Sequence, residues 1–217
     1  MPCPGISLVQ SRNSCAKGEP GLATRELNSV KELMFWSYAN LAMAHTAVER
    51  KQEKYSRFNY MIRARLFKGL MNGTLNVRSI FDDEKIKIHS GNCCNYCGCP
   101  DNLALDHIFP QKLGGEDTGE NLVLACRSCN SSKGKKDLME WMEYQGVFPP
   151  LMILRRYLKL IIAFCVEKDM MELSVEDAKN NPTPFSLAYI PTKYPHPNVL
   201  RLVAAISSEQ LESENKS

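Results

Sequence analysis

The chain has 217 residues, 44% of them apolar and 24% charged, with a formal net charge of +3. These are ordinary globular proportions, which exclude general disorder, a fibrous repeat and the strongly cationic balance that marks a nucleic-acid binder by charge alone. The length suits either one domain or a small core with additions on both sides, and the second arrangement is expected.

Residues 1–24, with Pro2, Pro4, Gly5, Gly18, Pro20 and Gly21, carry no sustained apolar period and are expected to form a flexible arm in which Cys3 and Cys15 are surface thiols. The start has no cationic region followed by an apolar run and a small-residue cleavage site, so no secretory signal is expected and a cytoplasmic location is. From Thr24 to about Leu70 the spacing of Leu33, Trp36, Ala39, Met43 and Ala47 predicts one long helix or two broken ones, with Thr24 as N-cap and Gly69 and Gly73 as the stop. This helical region is taken as residues 25–90. Its second half carries Arg50, Lys51, Lys54, Arg57, Arg63, Arg65 and Lys68 with Glu53 as the one acid. That stripe fits a DNA-binding face and the solvated side of an amphipathic helix equally well. Tyr55, Phe58, Tyr60 and Phe67 could stack on bases, but at helical spacing such residues more often pack in a core.

Residues 103–108 and 122–125 are two short apolar runs joined by a loop with Pro110, Gly114 and Gly115, which predicts two antiparallel strands. After Cys126 come helices, the second opened by Pro149 and Pro150 and running over residues 151–166 with Leu151, Leu154, Leu158, Ile161 and Cys165 at helical spacing. Arg155, Arg156 and Lys159 interrupt that stretch, so it is no membrane span. It either packs on the core with Trp141 and Tyr144 or docks a partner, and core packing is preferred. Residues 138–180 are the helical C-terminal region. Five prolines make residues 181–197 irregular, and in the segment 181–217 the last residues, 207–217, are expected to be disordered.

Nine cysteines, six of them between Cys93 and Cys129, suit metal ligation better than disulfides in a reducing compartment. Cys94-x-x-Cys97 and Cys126-x-x-Cys129 are two thiolate pairs that complete a closed tetrahedral site, structural rather than catalytic, for Zn2+. Cys93 with Cys97 and Cys94 with Cys99 are alternative frames for the first pair.

Between and beyond these pairs lies DHIFPQKLGGEDTGENLVLACRSCNSSK, residues 106–133. With Asp106-His107, Pro110, Gly114-Gly115, Asn121-Leu122, Cys126-x-x-Cys129-Asn130 and Lys133, it resembles the HNH endonuclease family of ββα-metal nucleases. The resemblance covers residues 91–137, about a fifth of the chain. Asn130 stands where many members have histidine and is still an oxygen ligand. The resemblance implies an α+β fold, a small zinc-stapled ββα-metal core with mainly α-helical flanks. It further implies that the strand end bends so that Asp106 and His107 serve one site, and that Asn121 fixes the loop and orients His107.

The residues supply the chemistry of phosphodiester hydrolysis. A neutral histidine, His107, can take a proton from water near neutral pH. Asp106 and Asn130 suit a hard ion, Mg2+ or Mn2+, and Lys133 with Arg127, Lys135 and Lys136 would meet phosphates at the head of the helix. His45, His89 and His196 have no motif around them. The expected activity is a metal-dependent endonuclease acting on DNA in preference to RNA, with a role in restriction or phage defence. Its specificity would come from the flanks, a homodimer or a partner. The alternatives are a nuclease subunit licensed by a partner ATPase in antiphage defence, and a zinc-dependent nucleic-acid-binding module without catalysis.

Overall fold

Ser29 and Glu32 close a capping box, the hydroxyl accepting the Glu32 N–H while the Glu32 carboxylate accepts the Ser29 and Asn28 N–H groups, and α1, Val30–Glu49, follows. This is a computed structural model that describes residues 25–77 and 92–204. Thr24, the expected cap, lies outside the described residues, as do the arm, His89, residues 78–91 and the tail from 205. The apolar run breaks where Lys51 takes φ 53°. A second helix, α2, Arg57–Met71, starts after Ser56, whose N–H and hydroxyl both donate to Asn59 Oδ1. Gly69 does not stop α2 but sits inside it, where a Cβ would come within 2.5 Å of Leu75 as the chain folds back. The stop is two residues past Met71, at Gly73, whose φ of 73° suits a residue without a Cβ.

Strands β1, Leu103–His107, and β2, Leu122–Cys126, pair antiparallel with Leu103 opposite Cys126 and His107 opposite Leu122. Helix α3, Arg127–Lys133, continues directly from β2 and completes a ββα unit, so the molecule is α+β. A two-stranded ribbon is marginal alone. Here the Cys94–Cys97 turn supports it: the Asn95 N–H donates to Leu124 O at 2.8 Å and Asn95 Oδ1 accepts the Leu124 N–H at 2.9 Å.

Helix α4, Leu138–Tyr144, is capped by Asp137, which accepts the Met139 and Glu140 N–H groups and the Tyr157 hydroxyl at 2.6 Å. Tyr157 lies on α5, Leu151–Glu167. Pro150 offers α5 no capping side chain, and the carbonyls of Arg201 and Leu202 take the Leu151 and Met152 N–H groups instead. A short α6, Val175–Ala178, follows. Residues 181–197 form neither α-helix nor strand but include a 3-10 turn at Leu187–Tyr189, and they pack: Phe185, Leu187 and Ile190 are buried, and Thr192 O accepts from the Trp36 indole and the Asn40 amide.

One apolar cluster joins these parts, running from Val30 and Met34 through Tyr96, Ile108, Trp141 and Leu154 to Leu187. Helix α5 and Trp141 therefore belong to the core, whereas Tyr144 stays exposed. Among the described residues no helix is long and apolar enough to cross a membrane.

Candidate active site and metal centre

Cys94, Cys97, Cys126 and Cys129 bring their sulfurs within 4.8 Å of one another, all four side chains buried. A tetrahedral zinc with Zn–S bonds of about 2.3 Å has sulfur–sulfur edges of about 3.8 Å. Cys97 and Cys126 stand 3.8 Å apart. The cluster is compatible with a structural zinc, and Cys93 and Cys99 are outside it. Even as thiols the sulfurs polarise one another. Cys94 is held far below the ordinary thiol range because the Cys129 and Cys97 S–H groups donate to it, and Cys129 correspondingly keeps its proton more tightly. Arg201, its guanidinium bonded to Tyr96 O at 2.9 Å, stands near enough for the cysteines to raise its pKa against a larger lowering by burial.

Beside this cluster a cleft of about 380 Å³ is lined by Asp106, His107, Pro110, Gln111, Lys112, Asn130, Gly134 and Lys135. Asp106 and His107 are consecutive in β1, and both line it. Asp106 is buried, with Oδ2 accepting from the Tyr96 hydroxyl at 2.7 Å and lying 3.2 Å from Lys133 Nζ. Burial and the adjoining Asp106 carboxylate push the Tyr96 pKa well up, so the phenol keeps its proton and remains a donor. Among the described residues Asp106 Oδ1 has no partner. Asn130, on α3, donates its amide to Leu105 O at 3.4 Å, which leaves its Oδ1 to accept. One carboxylate oxygen and one amide oxygen at a single cleft form a donor set that fits a hard divalent cation.

His107 Nε2 lies 2.9 Å from Asp117 Oδ1. Among the described residues Asn121 forms no hydrogen bond to the imidazole. It is buried and closes the connecting loop: Oδ1 accepts the Phe109 N–H at 2.7 Å, while the amide donates to Phe109 O at 3.0 Å and Glu116 O at 2.8 Å. In the same loop Gly115 is obligatory, since a Cβ would meet Phe109 O at 2.0 Å.

The basic residues separate. Lys133, expected at a phosphate, instead has a fully buried side chain whose amine donates to His107 O as well as pairing with Asp106. Its position four residues after Cys129 turns it into the protein, and burial lowers its pKa against the opposing pull of Asp106. Lys135 lines the cleft, Arg127 is exposed, and exposed Lys136 bonds Ser132 O. Sequence reasoning passes over Tyr96, Asp117 and Arg156. Tyr96 sits between the first two cysteines and Asp117 within the motif loop. Arg156 gives no local signal, yet from α5 it donates to the Glu120 and Gly119 carbonyls at 2.6 Å each, steadying the residues before Asn121.

The model of the HNH endonuclease family matches residues 94–136. A CRISPR-associated endonuclease Cas9 of Corynebacterium diphtheriae is 46% identical over 61 residues, which cover 26% of this chain and 6% of that protein. The match thus spans a small part of a much longer relative. No solved structure matches. The matched segment begins at the first zinc-compatible cysteine and ends just past α3, so it contains both strands, the loop, the four cysteines and every residue that approaches the cleft from β1 and α3. Residues 94–136 are an HNH endonuclease domain.

Proposed function

We propose that this chain is a metal-dependent endonuclease that hydrolyses nucleic-acid phosphodiesters, DNA in preference to RNA, within a scaffold held by structural zinc. The observation that carries this reading is the convergence of Asp106, His107 and Asn130 on one open cleft. Asp106 Oδ1 and Asn130 Oδ1 would hold a divalent ion, Mg2+ or Mn2+, which when bound supplies charge relief at the scissile phosphate. With its Nε2–H donated to Asp117, His107 offers Nδ1 as the lone pair that takes the proton of the attacking water. Tyr96 and Lys133 hold Asp106 from behind, and Lys133 also fixes the backbone of His107. Asn121 sets the loop that presents Asp117. Lys135 and Lys112, which both line the cleft, would meet a substrate phosphate, and exposed Arg127 and Lys136 would extend the basic rim.

Cleavage of plasmid and single-stranded DNA by zinc-loaded wild type and His107→Ala, in Mg2+, Mn2+ or EDTA, tests this. Metal-dependent cutting that falls by about 10²-fold or more in the variant, with zinc and fold retained, is expected. Undiminished cutting by His107→Ala removes it as the base. A folded wild type that binds nucleic acid and cuts neither alone nor with a co-purifying subunit identifies a non-catalytic module.

A second reading is that cutting requires a partner, either an ATPase of an antiphage system or a second copy of the chain. It is favoured by the relative, in which the similar segment is a small part of a larger endonuclease. Cutting that appears only on adding a co-purifying subunit would support it.

A further inference from the structure

Charge in this chain is distributed unevenly. Residues 50–68 hold seven bases and one acid, a net +6, so the other residues together carry −3 against the total of +3. The structure resolves what those bases do. Arg63 turns inward, donating to Asn40 Oδ1 at 3.1 Å and stacking 4.6 Å from the Trp36 ring, so it is part of the α1–α2 packing. The other six, Arg50, Lys51, Lys54, Arg57, Arg65 and Lys68, are exposed, and among the described residues none of them forms an ion pair with an acid.

On α2 the outward positions are 57, 58, 61, 64, 65 and 68, a single stripe at helical spacing. The opposite side, with Asn59, Phe67 and Leu70, is buried. Within the stripe Phe58 and Met61 are 45% and 59% exposed, and the Arg50 guanidinium lies over the Phe58 ring at 4.5 Å. Like charges gathered along one turn and one helix face, with no acid paired to them among the described residues, repel one another, and folding alone gives no reason to collect them beside exposed apolar side chains.

We infer that the outward face of α2, with the turn at Arg50–Lys54, is a docking surface for double-stranded DNA, with α2 at the major groove and its basic side chains on the flanking backbone phosphates. The inference rests on the nucleic-acid reading above and names the duplex as its substrate. Charge complementarity selects a polyanion. The helical form of the face selects B-form DNA, whose major groove of about 12 Å admits an α-helix, over A-form RNA, whose major groove is too narrow for side chains to enter. The surface lies outside the matched nuclease segment, so affinity and cutting are carried by separate parts of the chain.

The test is binding of a fluorescein-labelled DNA duplex to full-length zinc-loaded protein in EDTA, followed by anisotropy over a series of salt concentrations. Lys54→Glu/Arg57→Glu/Arg65→Glu is compared with Lys168→Glu/Lys179→Glu/Lys193→Glu, which changes net charge equally at exposed positions elsewhere. The first variant should bind at least about tenfold more weakly, with a log–log salt slope shallower by about 3, roughly one unit per lost phosphate contact. The second should stay within about twofold of wild type if location rather than net charge matters. Equal losses in the two variants, or none in the first, overturn the inference, and so does equal affinity of wild type for duplex RNA.

If the first variant does not fold, lysine acetylation of wild type decides the same question. DNA should protect Lys51, Lys54 and Lys68 and leave Lys168 and Lys179 reactive; uniform reactivity rejects the surface. A wild type that binds through α2 yet cuts nothing with metal, alone or with a co-purifying subunit, leaves the surface standing and removes the nuclease reading. A wild type that cuts and binds without α2 does the reverse.

Discussion

Asn121→Ala isolates what the loop contributes, because this amide makes three hydrogen bonds and touches no reacting group. Two of those bonds satisfy the N–H and C=O of Phe109, which is 6% exposed, whereas Glu116 is at the surface and its carbonyl can turn to water. Each buried group left without a partner costs about 1–3 kcal/mol, so the substitution should destabilise the protein by roughly 4 kcal/mol. That is a large fraction of a total of about 5–15 kcal/mol. The backbone of His107 should hold, since it remains paired with Leu122 and its carbonyl remains bonded to Lys133. Asp117, carried by the loop, should drift. Urea unfolding with zinc present measures the first effect, and single-turnover cleavage the second, where misplacement by an ångström costs about 10²-fold. Asn121→Asp keeps an acceptor for the Phe109 N–H but sets a carboxylate against two carbonyl oxygens, so it should do no better than alanine. A loss under about 1 kcal/mol, or cleavage at the wild-type rate, would refute the loop argument.

Cys126→Ser should release zinc and unfold the ββα unit, because structural zinc contributes about 10 kcal/mol or more to the folding of small modules. Full zinc content by elemental analysis together with a native melting curve would sink the four-thiolate site. Lys133→Met leaves the Asp106 carboxylate buried without its countercharge and should cost about 3–5 kcal/mol by chemical denaturation. If the lysine instead met phosphate from the surface, the same variant would keep its stability and lose salt-dependent DNA affinity.

The ββα core is legible in the sequence because its signals are local. Two Cys-x-x-Cys spacings, two short apolar runs and a glycine-bearing loop each restrict the backbone on their own, and β1, β2 and α3 fall where those signals put them. The flanks are legible only as helices. The boundary between α1 and α2 depends on a positive φ at Lys51, and the capping box at Ser29 competes with an equally plausible threonine. The least legible contacts are those between distant segments. Nothing near Arg156 says that it will hold carbonyls 36 and 37 residues away, and nothing near Arg201 says that it will lie against Tyr96.

Lys133, expected at a phosphate, is instead held inside the protein by the register of α3. Helix α3 has seven residues, and its spacings are fully used. Cys126 and Cys129, three apart, must face the sulfur cluster, and a residue four beyond Cys129 falls on that same inward side. Lys133 therefore could not reach solvent without turning a cysteine out of the cluster. Asn130, four beyond Cys126, falls at the edge of that side, where it lines the cleft and still reaches back to Leu105 O. The register that the four-cysteine cluster imposes on the helix thus sets three positions together: a sulfur inside, an amide oxygen at the cleft, and an amine beneath Asp106. For that reason loss of a cysteine should disturb the cleft before any of its own residues is changed, and the order of events during zinc removal, cleft first or fold first, follows from how tightly α3 alone can keep that register. A helix this short is unstable by itself, so both should fail together.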